Sequence, residues 1–441
     1  MRGLRSNNHL MKFKNNRILK NASWIIACKI VQSLVSLLIG TLTARFLGPS
    51  NFGLINYAAS LTAFVLPIMQ LGLRSIMVHE FVNRPEEEGK ILGTSLGLSL
   101  CSAVVCIIGV TSFAMIANRG EKITITVCFL YSLCLIFQAI EMTEYWFQAK
   151  LLSKYSSIAI LAAYAVVSLL RVYLLATNKN VYWFTVAYIV DYALIGVCLM
   201  IFYKKEGGQK LSFSVELARS MLNKSKYYIV STMMTTIFQQ TDKIMLKLML
   251  NEAETGYYSV AVTTTSMTAF IFMAVIDSVR PTILENKKDN SEHYERNISL
   301  LYSVITYMSL AQSIAFTVLA GPIVTILYGA DYAPSIPLLR ITVWYVTFSY
   351  YGMIRNIWIL AEQKQKYLWI INLSGALMNV ALNIILIPLI GAAGAAVASL
   401  ATQFFTNVIV NMIIRPIRYN NRLMLKGLDP KLLLEFIKKP V

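Results

Sequence analysis

The chain has 441 residues, of which 56% are hydrophobic and only 14% charged, and its mean hydropathy is +0.59. Soluble domains are roughly half apolar and about a quarter charged, so this composition excludes an ordinary soluble protein and predicts a polytopic membrane protein. The formal net charge of +18 would suit a nucleic-acid ligand. No basic patch accompanies a soluble binding fold, however, and we expect no nucleic-acid partner.

Twelve apolar runs are long enough to cross a membrane as helices, because about 20 residues span the ~30 Å hydrocarbon layer. The stretch before Ala22 is basic like the start of a signal peptide, but the run that follows it is too long and lacks a clear cleavage site. We therefore predict an all-α integral membrane protein whose first helix is retained. The twelve runs are residues 22–44, 54–75, 91–116, 123–144, 156–176, 181–203, 226–249, 257–279, 298–320, 335–360, 367–388 and 391–414.

Lysine and arginine are distributed unevenly between these runs. They concentrate in the N-terminal stretch, in the loops after even-numbered runs and in the C-terminal stretch. In the loops after odd-numbered runs, the only basic residues are Arg45, Arg119, Lys122 and Lys179. Because cytoplasmic loops carry the excess of basic residues, both termini are predicted to lie in the cytoplasm. Most of the positive charge is thereby explained as a topology signal.

An eleven-residue stretch occurs twice along the chain. Residues 145–155 align with residues 357–367, and four of the eleven positions are identical, among them Trp146 with Trp358. A second match aligns Thr62-Ala63-Phe64 and Arg74 with Thr268-Ala269-Phe270 and Arg280. Chance similarity between apolar segments is the alternative, but ordered matches favour a duplicated chain. The Trp and Tyr side chains of the stretch are typical of interface anchors.

The duplication predicts two six-helix lobes related by a pseudo-two-fold axis along the membrane normal. The predicted parts are a cytoplasmic N-tail at 1–21, an N-lobe at 22–203, a basic linker at 204–225, a C-lobe at 226–414 and a cytoplasmic C-tail at 415–441. Within the N-lobe, Gly93 and Gly97 form a Gly-x-x-x-Gly pattern, which predicts the close approach of another helix.

Charges inside membrane spans are costly, so each is a functional hypothesis. Lys29 and Gln32 begin a polar stripe on helix 1, and helix 7 carries a corresponding stripe that ends at Asp242, with Lys243 adjacent. If these helices face each other, they line a wet, net-cationic cleft. The alternative is that Asp242, Lys243 and Lys247 only pair or cap near the membrane interface.

Arg74 and Arg280 end helices 2 and 8 at equivalent points of the repeat. A guanidinium matches phosphate oxygens in a bidentate manner, so both are candidates for an anionic headgroup, and ordinary basic anchoring is the alternative. Asp277 shares a helix face with Arg280 and would neutralise it.

Four acidic residues are candidates for ion coupling, since burial raises the pKa of a carboxylate into the range where it exchanges protons. Structural ion pairs are the alternative for each. Neither the six cysteines nor the three histidines have a metal-ligand or disulfide spacing, so no metal or cofactor is predicted. No catalytic triad, glycine-rich phosphate loop or sheltered carboxylate pair indicates an enzyme. The four candidates are Glu141, Glu144, Asp191 and Asp277.

Several motifs together resemble the Wzx-type polysaccharide-biosynthesis flippases of the multidrug/oligosaccharidyl-lipid/polysaccharide exporter superfamily. They are Thr43-Ala44-Arg45-Phe46-Leu47-Gly48-Pro49, Glu144-Tyr145-Trp146-Phe147-Gln148, Thr241-Asp242-Lys243-Ile244-Met245-Leu246, Gly256-Tyr257-Tyr258-Ser259, Tyr328-Gly329 and Ile387-Pro388. The resemblance covers residues 21–414.

This resemblance implies a bacterial cytoplasmic-membrane transporter that moves undecaprenyl-diphosphate-linked oligosaccharide units by alternating access, for O-antigen, capsule or exopolysaccharide synthesis. Its partners would be that glycan, membrane lipids, and the polymerase and glycosyltransferases of the pathway. A cation-coupled multidrug exporter or a membrane glycan polymerase or ligase are the alternatives. The predicted substrate-binding residues are Lys29, Arg45, Arg74, Asp242, Lys243, Lys247 and Arg280.

Overall fold

The computed structural model describes the backbone of residues 2–438 except position 290. It describes the side chains of residues 31–434 except positions 75, 227, 231, 286 and 288–292. Within these residues the chain is helical and contains no strand. The α-helices are α1 Arg2–Met69, α2 Leu73–Asn83, α3 Glu88–Ala117, α4 Lys122–Ser132, α5 Cys134–Glu141, α6 Glu144–Ala149, α7 Ser153–Ala176, α8 Val181–Lys205, α9 Val215–Met249, α10 Glu252–Ser266, α11 Ala269–Asp289, α12 Ser291–Tyr328, α13 Ser335–Ala361, α14 Leu368–Ile390, α15 Ala392–Phe404, α16 Val410–Ile413, α17 Arg418–Gly427 and α18 Pro430–Lys438.

Eight of the described helical segments are long and apolar enough to cross a membrane. A ninth is added if α10 and α11, which meet at an angle of 42°, form one bent span. The chain is thus a multi-pass, all-α membrane protein. The count differs from twelve partly because predicted run 22–44 and most of predicted run 54–75 fall on one element, α1.

Helix α1 is broken at Gly48, whose φ of 69° and ψ of 172° are not helical. A positive φ is accessible to glycine because it has no Cβ, so the break falls where the sequence permits it. Just beyond the break, a Cβ on Gly53 would lie 1.8 Å from the carbonyl oxygen of Glu252. Two backbones therefore approach here more closely than any side chain would allow.

The chain separates into two compact units. The N-terminal unit comprises Met1–Leu47 and Tyr57–Thr236, and the C-terminal unit comprises Gly48–Asn56 and Ile237–Val441. In the first, Trp146 packs edge-on against Tyr203 with ring centroids 4.9 Å apart. In the second, Phe272 stacks on Tyr350 at 4.3 Å. Each unit has its own aromatic core.

The connector after α8 packs along α3 inside the N-terminal unit. The amide of Ser212 donates to the carbonyl of Gly89 at 3.2 Å, and a Cβ on Gly93 would lie 2.4 Å from the carbonyl oxygen of Ser212. The ring of Phe213 covers Gly97. The Gly-x-x-x-Gly pattern thus contacts a non-helical segment, because its bare backbone accommodates any close neighbour and is not specific for a helix.

Helix α17 packs on α12 within the C-terminal unit. A Cβ on Gly427 would lie 2.6 Å from the carbonyl oxygen of Ser299. The hydroxyl of Tyr419 donates to Glu295 Oε1 at 2.7 Å. This hydrogen bond raises the pKa of Tyr419, because deprotonation would bring two negative oxygens together. The segment after the last predicted span is therefore part of the folded unit.

The duplicated stretch forms the same turn in both units. After each tryptophan the helix ends in a residue with positive φ, 56° at Leu151 and 54° at Gln363. In each turn an amide also bonds back five residues, from Leu152 to Phe147 at 2.8 Å and from Lys364 to Ile359 at 2.9 Å, as in a Schellman cap. Local backbone geometry thus repeats together with the sequence.

The tryptophans of these turns do not lie at an exposed interface position. Trp146 is 2% exposed and Trp358 is 1% exposed. Trp146 Nε1 donates to the buried carboxylate of Glu88 at 2.7 Å, and the ammonium groups of Lys150 and Lys364 lie over the respective indole rings. The expectation of aromatic interface anchors is wrong for both tryptophans, because their amphipathic rings are used in the cores.

Candidate functional site

The N-terminal unit contains two adjoining cavities that share Arg74, Glu141, Glu144 and Tyr192 in their walls. Their volumes are about 260 and 480 Å³. The walls of the larger one are built by α1, α2, α5, α6, α7 and α8, so elements distant in sequence converge there. Its other lining residues are Gln32, Gln148, Ser153, Ser156, Ser157, Ile160, Leu161, Asp191 and Ile195.

Acidic groups outnumber basic ones in these walls. Glu141, Glu144 and Asp191 face the space together with the single guanidinium of Arg74, which lies 5.6 Å from the centre of the Tyr145 ring. The structure thus brings together one predicted headgroup residue and three predicted coupling residues. The net charge of this cavity is opposite to the sign predicted for the cleft between helices 1 and 7.

Two oxygens at this site lack hydrogen-bond partners among the described residues. They are Asp191 Oδ1 and Gln138 Oε1, and both atoms are shielded from solvent. By contrast, Glu144 Oε1 accepts from Gln148 Nε2 at 3.0 Å. Buried acceptors are normally satisfied, so these two oxygens are exceptions for which the described residues supply no donor.

A smaller cavity of about 210 Å³ lies beside Arg280 in the C-terminal unit. Asp277 and Asn356 are its other polar lining residues, and the remainder of its wall is apolar. Asp277 and Arg280, which are predicted to share one helix face, thus line the same cavity.

The C-terminal unit also encloses a carboxylate. Asp242 on α9 is 4% exposed, and four neutral side chains donate to it. Tyr258 Oη is 2.5 Å from Oδ2. Asn379 and Asn383 Nδ2 are 3.0 and 2.6 Å from Oδ1. Ser399 Oγ donates to Oδ2 at shorter range.

The helices order this cluster by simple spacing. Asn379 and Asn383 are four residues apart, so they point from one face of α14, while Ser399 comes from α15 and Tyr258 from α10. Asn383 Oδ1 is buried and accepts no hydrogen bond from a described residue. One negative charge among neutral oxygens suits a proton or a monovalent cation, because Ca²⁺ sites usually supply more carboxylates.

The remaining predicted residues whose side chains are described line none of these three cavities. Lys247 is 6% exposed and pairs with Glu252 at 3.3 Å, Lys243 is half-buried next to Asp242, and Arg45 is exposed. Lys29 lies outside the residues whose side chains are described. The cleft between helices 1 and 7 stays a prediction.

Sequence reasoning did not include the partners of Asp242. An asparagine pair four residues apart in an otherwise apolar span is itself a signal, because polar side chains in a membrane need partners. Arg355 is a second instance. It is 4% exposed, and its guanidinium donates to the carbonyl of Thr406 at 3.1 Å and to Asn407 Oδ1 at 2.9 Å. Both acceptors lie in a π-helical turn, Phe405–Ile409.

The fold and these polar sites define a class: a multi-pass helical membrane protein with polar sites within its helical units. The model of the family described as "Polysaccharide biosynthesis protein" matches residues 42–337, more than half of the chain. The chain belongs to this family, which confirms the family resemblance seen in its motifs.

A probable low-salt glycan biosynthesis flippase of Haloferax volcanii is 24% identical over 199 residues. The match covers 45% of this chain and 42% of that protein, so the chain matches less than half the length of this curated relative.

Two solved structures share the fold. A lipid II flippase, MurJ, in an inward closed conformation superposes with a TM-score of 0.68 at 13% identity, over 95% of this chain and 93% of the other. An inward-facing MATE-family multidrug resistance transporter also gives 0.68 at 13% identity, over 88% and 96%. At these identities the comparison shows the fold.

Proposed function

We propose that the chain is a flippase that translocates undecaprenyl-diphosphate-linked oligosaccharide units across the cytoplasmic membrane by alternating access. It would serve O-antigen, capsule or exopolysaccharide synthesis, and it would act as a transporter without catalysis. The observation that carries the proposal is the polar cavity beside Arg74, in a chain whose family is that of polysaccharide biosynthesis. Polar groups within a membrane are costly, so a cavity this polar favours a protein that carries a polar cargo.

The architecture proposed with it is twelve helices in two six-helix lobes related by a pseudo-two-fold axis, with both termini cytoplasmic. The duplicated turns at Leu151 and Gln363 support the repeat. The proposed cationic residues for the diphosphate are Lys29, Arg45, Lys243, Lys247 and Arg280. Among them Lys247 is already paired with Glu252, so it contributes least. Arg74, which lines the acidic cavities, is proposed to contact another part of the substrate.

Energy for export is available in two forms. Moving an anionic headgroup out of a cell with a negative interior gains about 2.3 kcal/mol per charge per 100 mV. In addition, we propose that Asp242 takes up and releases a proton or a monovalent cation. Its four donors would be freed or engaged at each exchange, so ligand state and the packing of α9, α14 and α15 would change together.

Deletion of the gene in its host tests the function. We expect surface glycan to disappear and lipid-linked units to accumulate on the cytoplasmic side. Single surface-exposed units would instead indicate a polymerase or ligase. Unchanged surface glycan would contradict the flippase.

A multidrug exporter is the second candidate, and one observation favours it. The cavity of the N-terminal unit has three carboxylates against one guanidinium, which would suit a cationic drug. Accumulation of a cationic dye in the deletion strain distinguishes the two: the flippase predicts unchanged accumulation, whereas the exporter predicts an increase.

A further inference from the structure

The two halves of the chain place different chemistry beside their equivalent arginines. The repeat aligns Arg74 with Arg280, and the offset of the duplicated stretch aligns Glu144 with Asn356. Arg74 and Glu144 line a cavity of the N-terminal unit, and Arg280 and Asn356 line a cavity of the C-terminal unit. The same offset aligns Glu141 with Met353, so the two positions that are acidic in the N-terminal unit are neutral in the other.

The acidic version of this cavity is a poor place for a diphosphate. A diphosphate presents only acceptor oxygens, and the carboxylates of Glu141, Glu144 and Asp191 mainly offer it further acceptors. The acidic lining of the cavity therefore favours a ligand that offers donors. Sugar hydroxyl and amino groups are donors, and a carboxylate can accept from two neighbouring hydroxyls.

The remaining walls fit a sugar as well. Tyr145 and Tyr192 line the cavities with rings that carry a polar tip, so they can contact both the apolar face and the hydroxyls of a pyranose. Ser156 and Ser157 supply small hydroxyls that donate or accept. A volume of about 480 Å³ lies within the roughly 300–1,000 Å³ of small-molecule sites.

We propose that this cavity binds the glycan end of the substrate through a hydroxyl-rich neutral sugar or an amino sugar, and that it rejects acidic sugars. The inference rests on the proposed flippase function. Rejection follows because a uronate carboxylate would enter beside three carboxylates and lose its water, and such like-charge placement is an effective way to exclude a competitor.

The test measures translocation in proteoliposomes that contain the purified full-length chain. Two undecaprenyl-diphosphate disaccharides serve as probes, one with two neutral hexoses and one whose terminal hexose is replaced by the matching uronic acid. We expect the wild type to translocate the neutral probe at least about tenfold faster. In the double variant Glu141→Gln/Glu144→Gln, the ratio should fall to within about twofold of unity, because the amides keep the shape and lose the charge.

A matched control removes two carboxylates of the same unit outside the cavity. The double variant Glu86→Gln/Glu216→Gln changes exposed residues and should leave the ratio unchanged. If the cavity variant does not fold, as judged by size-exclusion chromatography, the single variant Glu144→Asn replaces it, since asparagine stands at the aligned position of the second half.

The outcomes separate the inference from the function. A wild type that translocates both probes equally, or prefers the uronate, overturns the inference and leaves the flippase standing. If neither probe moves, the proposed function fails and the inference with it. A cavity variant that slows both probes by the same factor also overturns the inference, because it assigns these carboxylates to coupling or folding.

Discussion

The carboxylates of the two units are accommodated in opposite ways. Asp242 is enclosed in the C-terminal unit, and four neutral side chains donate to it. Glu141, Glu144 and Asp191 line cavities in the N-terminal unit, where Asp191 Oδ1 lacks a hydrogen-bond partner among the described residues. The first carboxylate is hydrogen-bonded within the protein, whereas the cavity carboxylates line a space that a ligand or water can enter.

This difference has a physical basis. A carboxylate in a low-dielectric interior loses several kcal/mol of hydration, which either hydrogen bonds or retained water must offset. Donors fixed by three helices offset it at Asp242, so any change of its charge must disturb those helices. Cavity carboxylates exchange partners without moving the helices. The contrast indicates a switching role for Asp242 and a binding role for the cavity.

The largest effect is expected from Asp242→Asn. The amide keeps the shape but offers one acceptor oxygen in place of two, so at least one neighbouring donor loses its partner, at about 1–3 kcal/mol. We expect a lower melting temperature in detergent. Complementation of the deletion strain should fall to the level of an empty vector, since the exchangeable charge is gone.

Asp242→Glu is the companion variant, because it keeps the charge and shifts only its position. Partial complementation by Asp242→Glu with none by Asp242→Asn would support the switching role. Full complementation by Asp242→Asn would show that the buried charge has no part in transport.

Sequence patterns predicted the helical membrane fold because apolar length is a local property. They also indicated candidate functional residues, since each of these is a charge in an apolar run: Arg74, Glu141, Glu144, Asp191 and Asp242. Which residues come together in one site could not be predicted from the sequence. The partners of Asp242 lie 16 to 157 positions away in the chain, and no period in the sequence encodes such a contact.

Local patterns also failed where one signal has two structural outcomes. Gly93 and Gly97 predict a close approach, but their bare backbone can accommodate either a helix or a non-helical segment. In this fold the connector at Ser212 packs against it. Tryptophan is suited to a membrane interface as well as to a protein core, and both Trp146 and Trp358 are buried in cores. Only the tertiary neighbours distinguish these cases.

An intermediate effect is expected from Gly394→Ala on α15. A Cβ there would lie 2.3 Å from the carbonyl oxygen of Leu386 on α14, the helix that also carries Asn379 and Asn383. Because backbone cannot move aside cheaply, the helices must separate, with a loss of about 1–3 kcal/mol in the free energy of unfolding. Thermal melting and export should both decline, by less than in Asp242→Asn.

Gly321→Ala provides the control within the same unit. A Cβ at Gly321 meets no atom within 4 Å, so alanine should be neutral or stabilise its helix by about 0.5–1 kcal/mol. Equal melting temperatures for the two variants would mean that the α14–α15 approach is not tight, and the rigid enclosure of Asp242 would lose its support.

The smallest effect on stability is expected from Asp191→Asn. This variant compares a cavity carboxylate directly with the enclosed carboxylate of Asp242. Asp191 Oδ1 has no hydrogen-bond partner to lose among the described residues. The substitution loses the attraction between Asp191 and the Arg171 guanidinium, but it also removes a charge that is costly to bury. The free energy of unfolding should change by less than about 1 kcal/mol, within the range of substitutions that break no specific interaction. Thermal melting beside Asp242→Asn measures this difference. A loss as large as that of Asp242→Asn would mean that Asp191 is held by the protein as firmly as Asp242. Asp191 would then belong to a second enclosed carboxylate site and would have no part in ligand binding.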